Sequence, residues 1–247
     1  MILLKVVSDI HLNRPSNDIS NLSISRIDNK SKDIKVLAIL GDIGAQYDQF
    51  FKYVSTLDYD YVLFVPGNHE YYGSEYQTQL KYLRSLCEKY SITLLSRNMI
   101  EIGKVVFLGA TLWTDIPASY SRLATKDLKE LRTIKYGGIP LTLSKYLSLH
   151  RQDRDWISHT INNVKNNHTT VVVLTHHSPS FKLCRYCPDG NVDDNINVYF
   201  ASNLDSLVQK VDLWCCGHIH QSKQIDNLLS NAYLAPNYNC DQVIKLN

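Results

Sequence analysis

Aspartate, histidine, asparagine and glutamate recur in five short segments of this sequence: Asp9-Ile10-His11, Gly41-Asp42, Gly67-Asn68-His69-Glu70, Thr175-His176-His177 and Gly217-His218-Ile219-His220. Their donors are imidazole nitrogens, carboxylate oxygens and one carboxamide oxygen, with no thiolate among them. Such a set suits two divalent cations that activate water. Within the set, Asp9 and His11 are separated by one residue, and extended geometry would point both side chains to one face. Asp42 has two oxygens and can bridge two ions, and Gly41 before it lets the backbone turn closely beneath them. Asn68 offers a neutral oxygen, which limits the negative charge and keeps the ions Lewis-acidic. His176 and His218 can complete one ion and His220 the other.

Positioning these donors requires rigid elements, and most of the segments follow directly on apolar, β-branched runs. The loop after a buried strand is where open α/β sheets place their chemistry. The runs cover 2–7, 34–40, 61–65, 105–110, 170–175 and 211–216. They are nearly continuous rather than alternating, which predicts strands covered on both faces. Between them, Tyr76, Leu80, Leu83, Cys87 and Tyr90 fall on one helical stripe, with Ser74 and Gln77 as a capping box. A second helix is predicted over about 144–166, with Leu149, Trp156, Ile157, Ile161 and Val164 inward, and a shorter one near 202–210. This alternation argues for an α/β fold with helix-covered sheets. No repeat or linker divides the chain, so 1–247 is expected to be a single domain. Two irregular stretches, 113–143 and 178–200, follow predicted strands and are candidate rim or lid segments.

Composition narrows the classes. Hydrophobic residues make up 44% and charged residues 20%, enough apolar material for a sizeable core. A formal net charge of +2 carries no dense basic block, so nucleic acid is possible as a partner but not indicated by charge. The N-terminal run is interrupted by Lys5 and leads into Asp9, which reads as a first strand rather than a leader. No stretch approaches a membrane span, so no membrane partner and a cytoplasmic location are expected. The oligomeric state is not legible. The six cysteines are too few for a disulfide scaffold. Cys184 and Cys187 have C-x-x-C spacing but lack a second pair to complete a zinc site.

Taken in order, the blocks DxH, GD, GNHE, a histidine after a later strand, and GHxH make the sequence resemble the calcineurin-like metallophosphoesterases from residue 9 to residue 220. The resemblance implies a four-layer α/β/β/α sandwich, with two central mixed β-sheets flanked by helices. It assigns one metal to Asp9, His11, Asp42 and His220, and the other to Asp42, Asn68, His176 and His218. His69 would face the substrate phosphate, with Glu70 holding its imidazole in orientation. Where the family often has a glycine and one histidine, this chain has Thr175-His176-His177. His176 comes first after the strand, and His177 is the alternative. His150, His159 and His168 are expected to be packed or solvated.

The activity so implied is hydrolysis of a phosphate ester by a hydroxide bridging two divalent ions. Mn²⁺ is favoured, with Fe, Zn, Co or Ni fitting the same donors. The substrate expected is a nucleotide or another small phosphodiester. A protein Ser/Thr phosphatase is the alternative, although no arginine-bearing phosphate segment is present. A non-catalytic scaffold is a third reading, which retention of every ligand and of His69 disfavours. Arg14 could contact a phosphate, and Tyr71 and Tyr72 could stack on a ring.

Overall fold

The computed structural model describes residues 1–14, 16–27, 32–165, 169–184, 196–231 and 242–247. Cys187, His168 and most of the polar run at 189–197 lie outside them, and with Cys187 the C-x-x-C pair.

The strands are β1 (Ile2–Val7), β2 (Ile34–Ile39), β3 (Tyr61–Phe64), β4 (Thr93–Leu94), β5 (Asn98–Ile102), β6 (Val105–Ala110), β7 (Lys135–Tyr136), β8 (Ile139–Pro140), β9 (Thr170–Thr175), β10 (Leu213–Cys216), β11 (Lys223–Ile225), β12 (Leu228–Ser230) and β13 (Ile244–Leu246). The α-helices are α1 (Tyr47–Ser55), α2 (Tyr76–Lys89), α3 (Ser121–Asp127), α4 (Glu130–Thr133), α5 (Leu143–Val164) and α6 (Asp205–Val208). One sheet has the order β13-β1-β2-β3-β4 and the other β11-β12-β10-β9-β6-β5, while β7 and β8 pair separately. Strands β1 to β4 run parallel, as do β12, β10, β9 and β6. Antiparallel β13, β11 and β5 close the edges. Both sheets are therefore mixed, with parallel centres.

Alternation along each strand sorts side chains into layers. Leu4 and Val6, Val36 and Ala38, and Val172 and Leu174 meet between the two sheets. The opposite face of the first sheet, with Leu37, Ile39 and Phe64, packs on Phe50, Phe51 and Val54 of α1 and on Leu83, Leu86 and Cys87 of α2. The outer face of the second, with Val171, Val173 and Trp214, packs on Tyr146, Leu149, Ile157 and Ile161 of α5. The result is the helix, sheet, sheet, helix layering that the resemblance implied. The strands are continuously apolar because both faces of each are covered.

Local differences have local causes. The sequence reading assigned no helix to 47–55, yet Phe50 and Val54 stand four apart on its buried face. Helix α2 is capped not by Ser74 but by Glu75, whose carboxylate accepts from Thr78 N at 2.8 Å. The helix near 202–210 is the single turn Asp205–Val208. Tyr71 is fully buried and stacked on Tyr76, with ring centroids 4.5 Å apart, so it belongs to the core. His150 is also buried, with its ring N–H directed at the Trp113 carbonyl, whereas His159 is exposed. Cys87, Cys215 and Cys216 are buried free thiols, and Cys184 is buried as well.

Candidate metal centre

Parallel strands deliver the five segments to one edge of the sandwich. The loops after β1, β2 and β3 bring Asp9, His11, Asp42 and Asn68 from one sheet. Those after β9 and β10 bring His176, His218 and His220 from the other. Backbone bonds extend the ladders past the strand ends: Asp9 N donates to Gly41 O at 3.0 Å, His11 N to Asp42 O at 2.9 Å, and Gly217 N to His176 O at 2.9 Å. Glycine is required where the loops cross. A Cβ on Gly67 would lie 2.3 Å from Asp42 Oδ1, and one on Gly41 would lie 2.4 Å from Gly67 N.

Asp9 and His11 are not extended, as the sequence reading supposed. Both are left-handed, at φ 56° and 52°, as are Asp42 (56°), His218 (66°) and His220 (50°). Non-glycine residues enter this region at a cost of roughly 1–2 kcal/mol each. Such a concentration of strain marks positions where the fold overrides local preference.

Asp9, His11, Asp42 and His220 form one group with ligand atoms close enough to share an ion, and Asp42, His176 and His218 form a second. In the first, His11 Nε2 lies 3.0 Å from His220 Nε2, and His220 Nε2 lies 3.3 Å from Asp9 Oδ1. In the second, His176 Nε2 lies 3.1 Å from His218 Nδ1, 3.3 Å from Asp42 Oδ1 and 2.9 Å from Asn68 Oδ1. Donors held at about 2.0–2.2 Å around one ion stand about 3 Å apart when adjacent and about 4 Å apart when opposite, and the spacings in both groups, including His11 Nε2 at 4.0 Å from Asp9 Oδ1, fall in that range. Asp42 faces both, its Oδ1 towards His176 and its Oδ2 4.0 Å from His11 Nε2.

Tautomers agree with this arrangement. A carbonyl only accepts, so His176 donates from Nδ1 to Leu40 O at 2.7 Å and keeps its Nε2 lone pair for the group. His218 donates from Nε2 to Tyr199 O at 3.3 Å and turns its Nδ1 inward. His177 instead directs Nδ1–H at Thr111 O, 3.2 Å away, with its ring against Trp113. Of the two neighbours, His176 is the one that joins the cluster.

Burial pushes the imidazoles towards the neutral form that a cation needs. His11 is lowered to about 4 by burial, against the pull of Asp9. His176 and His218 are lowered for the same reason. Burial favours neutral Asp9 too, but hydrogen bonding from His220 and the nearby His176 hold its carboxyl below the usual range. Asp42 is pushed well above that range by burial and by the like charges of Glu70 and Asp9. A divalent cation is the species that relieves such crowding.

His69 stands at the edge of the cluster, a fifth of its side chain exposed, with Nε2 3.7 Å from Asp42 Oδ2. Its ring contacts His11 and Tyr72, and burial lowers it to about 3. Glu70 does not orient it. The short helical turn His69–Tyr71 rotates Glu70 into the interior. There its carboxylate accepts from Gly67 N (2.6 Å), Asp42 N (2.7 Å), Ile43 N (2.8 Å) and Gly44 N (3.2 Å). Glu70 therefore ties together the loops that carry Asp42 and Asn68. Asn13 Nδ2 lies 3.5 Å from Nδ1 of the His69 ring.

A cleft of about 250 Å³ opens beside the cluster, walled by His69, Tyr72, Leu128, Lys129, Tyr199 and Phe200 among others. Leu128 and Lys129 come from the irregular stretch 113–143, and Tyr199 and Phe200 from 178–200. Ser178 N donates to Phe200 O and Ser202 N to Ser178 O, which fixes the latter pair beside His218. Arg14 is exposed and outside the cleft wall. The sequence reading missed Glu130, which reaches the same wall and the Asn68 amide. It belongs to no motif, and no local signal marks it.

Comparison with known proteins places this geometry in a family. Residues 2–222 match the family model of the calcineurin-like phosphoesterases. An uncharacterized protein of Acanthamoeba polyphaga mimivirus is 30% identical over 255 residues, covering 91% of this chain and 86% of its own. Two solved structures share the fold. The phosphopantetheinyl hydrolase of Mycobacterium tuberculosis superposes with a TM-score of 0.66 at 14% identity, over 94% of this chain and 90% of that one. A 5′-nucleotidase candidate from Staphylococcus aureus gives 0.51 at 13% identity, over 94% of this chain and 48% of that one. No helix among the described residues is long and apolar enough to cross a membrane. The chain belongs to the calcineurin-like phosphoesterases, metal-dependent phosphoric ester hydrolases built on a dinuclear divalent metal centre.

Proposed function

We propose that this calcineurin-like phosphoesterase hydrolyses a nucleotide or another small phosphodiester. One ion would be held by Asp9, His11, Asp42 and His220, and the other by Asp42, Asn68, His176 and His218. The observation that carries the reading is Asp42, a buried carboxylate with one oxygen turned to each histidine group. Bound there, two divalent ions supply Lewis acidity to the phosphate and lower the pKa of a water. Mn²⁺ is the ion we favour. The nitrogen and oxygen donors also accept Fe, Zn, Co or Ni.

The remaining work falls to the chain. His69 lies at the mouth of the cluster, where its neutral ring can donate a hydrogen bond from Nε2–H to a phosphoryl or leaving oxygen and stabilise the charge that develops there. Tyr199 and Phe200 line the cleft and offer aromatic surface to a planar leaving group. Lys129, with Nζ 4.5 Å from the centre of the Tyr72 ring, would bring a cation to the same cleft as His69. The small cleft volume suits a compact substrate, acting as the chain would in the cytoplasm.

The test combines metal uptake with a substrate panel. The wild-type chain should retain two ions, and Asp42→Ala should lose both. Hydrolysis of bis-p-nitrophenyl phosphate should exceed that of p-nitrophenyl phosphate, with activity also on cyclic nucleotides or dinucleotide polyphosphates. Turnover of a phosphopeptide alone would move the assignment to a protein phosphatase. Full metal loading without any hydrolysis would move it to a scaffold.

A further inference from the structure

A side-chain amide presents an oxygen on one side and an N–H₂ on the other, and only the oxygen can face a cation. Asn68 turns its Oδ1 to the His176 group, 2.9 Å from Nε2. Its Nδ2 points the other way, donating to Glu130 Oε1 at 2.8 Å and to Tyr72 Oη at 2.7 Å. Tyr72 Oη in turn donates to the same Glu130 oxygen at 2.7 Å. Tyr72 cannot decide which way the amide faces, because a hydroxyl donates or accepts equally well. An ionised carboxylate accepts only. Glu130 is buried, and no Lys or Arg pairs with it among the described residues. Its neighbour Lys129 lies over the Tyr72 ring instead.

We infer that Glu130 is a positioning residue that selects the metal-facing orientation of the Asn68 amide, making the 113–143 stretch part of the centre. The inference rests on the assignment of Asn68 to the second ion. Glu130 opens the short helix α4, which is held against the segment after the GNHE block. Gly73 N donates to Thr133 O at 2.9 Å and Lys135 N to Ser74 O at 2.9 Å. The acceptor that fixes Asn68 thus comes from a segment 62 positions away in the chain.

Glu130→Gln tests this without changing shape. A glutamine at 130 can present either its oxygen or its N–H₂ to Asn68, so the selection is lost. Manganese titration followed by calorimetry, with metal analysis of the dialysed protein, should show the second ion bound 10- to 100-fold more weakly, the range typical for loss of a group that orients a ligand. The first ion, held by residues that Glu130 does not touch, should keep its affinity, and so reports an intact fold. In an Asn68→Ala background the same substitution should change neither affinity further, because the two residues act through one bond. Second-ion affinity within about threefold of wild type in Glu130→Gln would overturn the inference, as would equal losses in both backgrounds, since ligand-orienting groups act through the ligand. A wild-type chain that takes up fewer than two ions would overturn the site assignment, and this inference with it. Wild-type uptake of two ions with no response to position 130 would overturn the inference alone.

Discussion

Glu70→Gln separates two roles for the acid of the GNHE block. Oε2 of Glu70 accepts from Gly67 N and Asp42 N, while Oε1 accepts from Ile43 N and Gly44 N. Glutamine has the same shape but only one acceptor end. However it turns, its N–H₂ meets two backbone N–H groups. The least costly choice sets it against Ile43 and Gly44, because the Gly44 bond is the longest of the four, at 3.2 Å, and part-buried. Each buried donor left unpaired costs about 1–3 kcal/mol, which gives about 2–4 kcal/mol once the weaker Gly44 bond is discounted. Burial and the like charge of Asp42 already act against the carboxylate. Removing that charge offsets about 1 kcal/mol of the loss. A net destabilisation of about 1–3 kcal/mol lowers Tm by roughly 2–12 °C in a chain of this size. Thermal unfolding should be followed in a chelator, so that ion binding adds nothing to the folded state. A Tm within about 1 °C of wild type, below the smallest shift expected, together with a fall in turnover matching that of a His69 variant, would refute the structural role. It would restore Glu70 as the residue that orients His69.

His69→Ala should lower kcat by about 10²- to 10³-fold, the range for loss of one hydrogen-bond donor to the transition state, with two ions still present by metal analysis. Loss of an ion would make His69 a ligand instead. Asp153 governs a pH effect far from the cluster. It is fully buried, pairs with Arg97 at 2.6 Å and accepts from Leu112 N, yet burial outweighs both and raises its carboxyl to about 6. Between about pH 4 and pH 6 the folded chain therefore holds a proton that the unfolded chain has released, and stability falls as pH rises through that window. The full difference is roughly 3 kcal/mol. Asp153→Asn should remove this slope, so denaturant-derived stabilities of the two proteins should converge or diverge across pH 4–6. Parallel curves would contradict the assignment.

The strands that carry the site were legible because a parallel centre must be apolar on both faces, and long continuous runs such as ILLKVV and TVVVLT leave little choice. The four-layer arrangement came through the family resemblance. The edges were not legible. Strands β11, β12 and β13 have three residues each, too few for a period to show. His176 and His177 could have been separated by the alternation of their own strand. Val172 and Leu174 face the other sheet, so residue 176 follows them inward, while Val171 and Val173 share the outer layer with Trp113, against which His177 lies. Glu70 misled for the opposite reason. A tight helical turn rotates successive side chains by a third of a circle, so neighbours in sequence part company.

The donors come from two sheets that share no hydrogen-bonded strand pair among the described residues. Asp9, His11, Asp42 and Asn68 follow strands of one, and His176, His218 and His220 follow strands of the other. Their spacing is therefore set by the apolar layer between the sheets, where Leu4, Val36, Leu63 and Leu95 meet Phe107, Val172 and Leu174. Interiors pack too tightly to yield by small amounts. That rigidity holds His176 Nε2 within 3.3 Å of Asp42 Oδ1 across the junction. Coordination alone does not gather the ligands. The core fixes where they stand, Glu70 fixes the loops on one side, and the strained backbone at Asp9, His11, Asp42, His218 and His220 follows from meeting both demands.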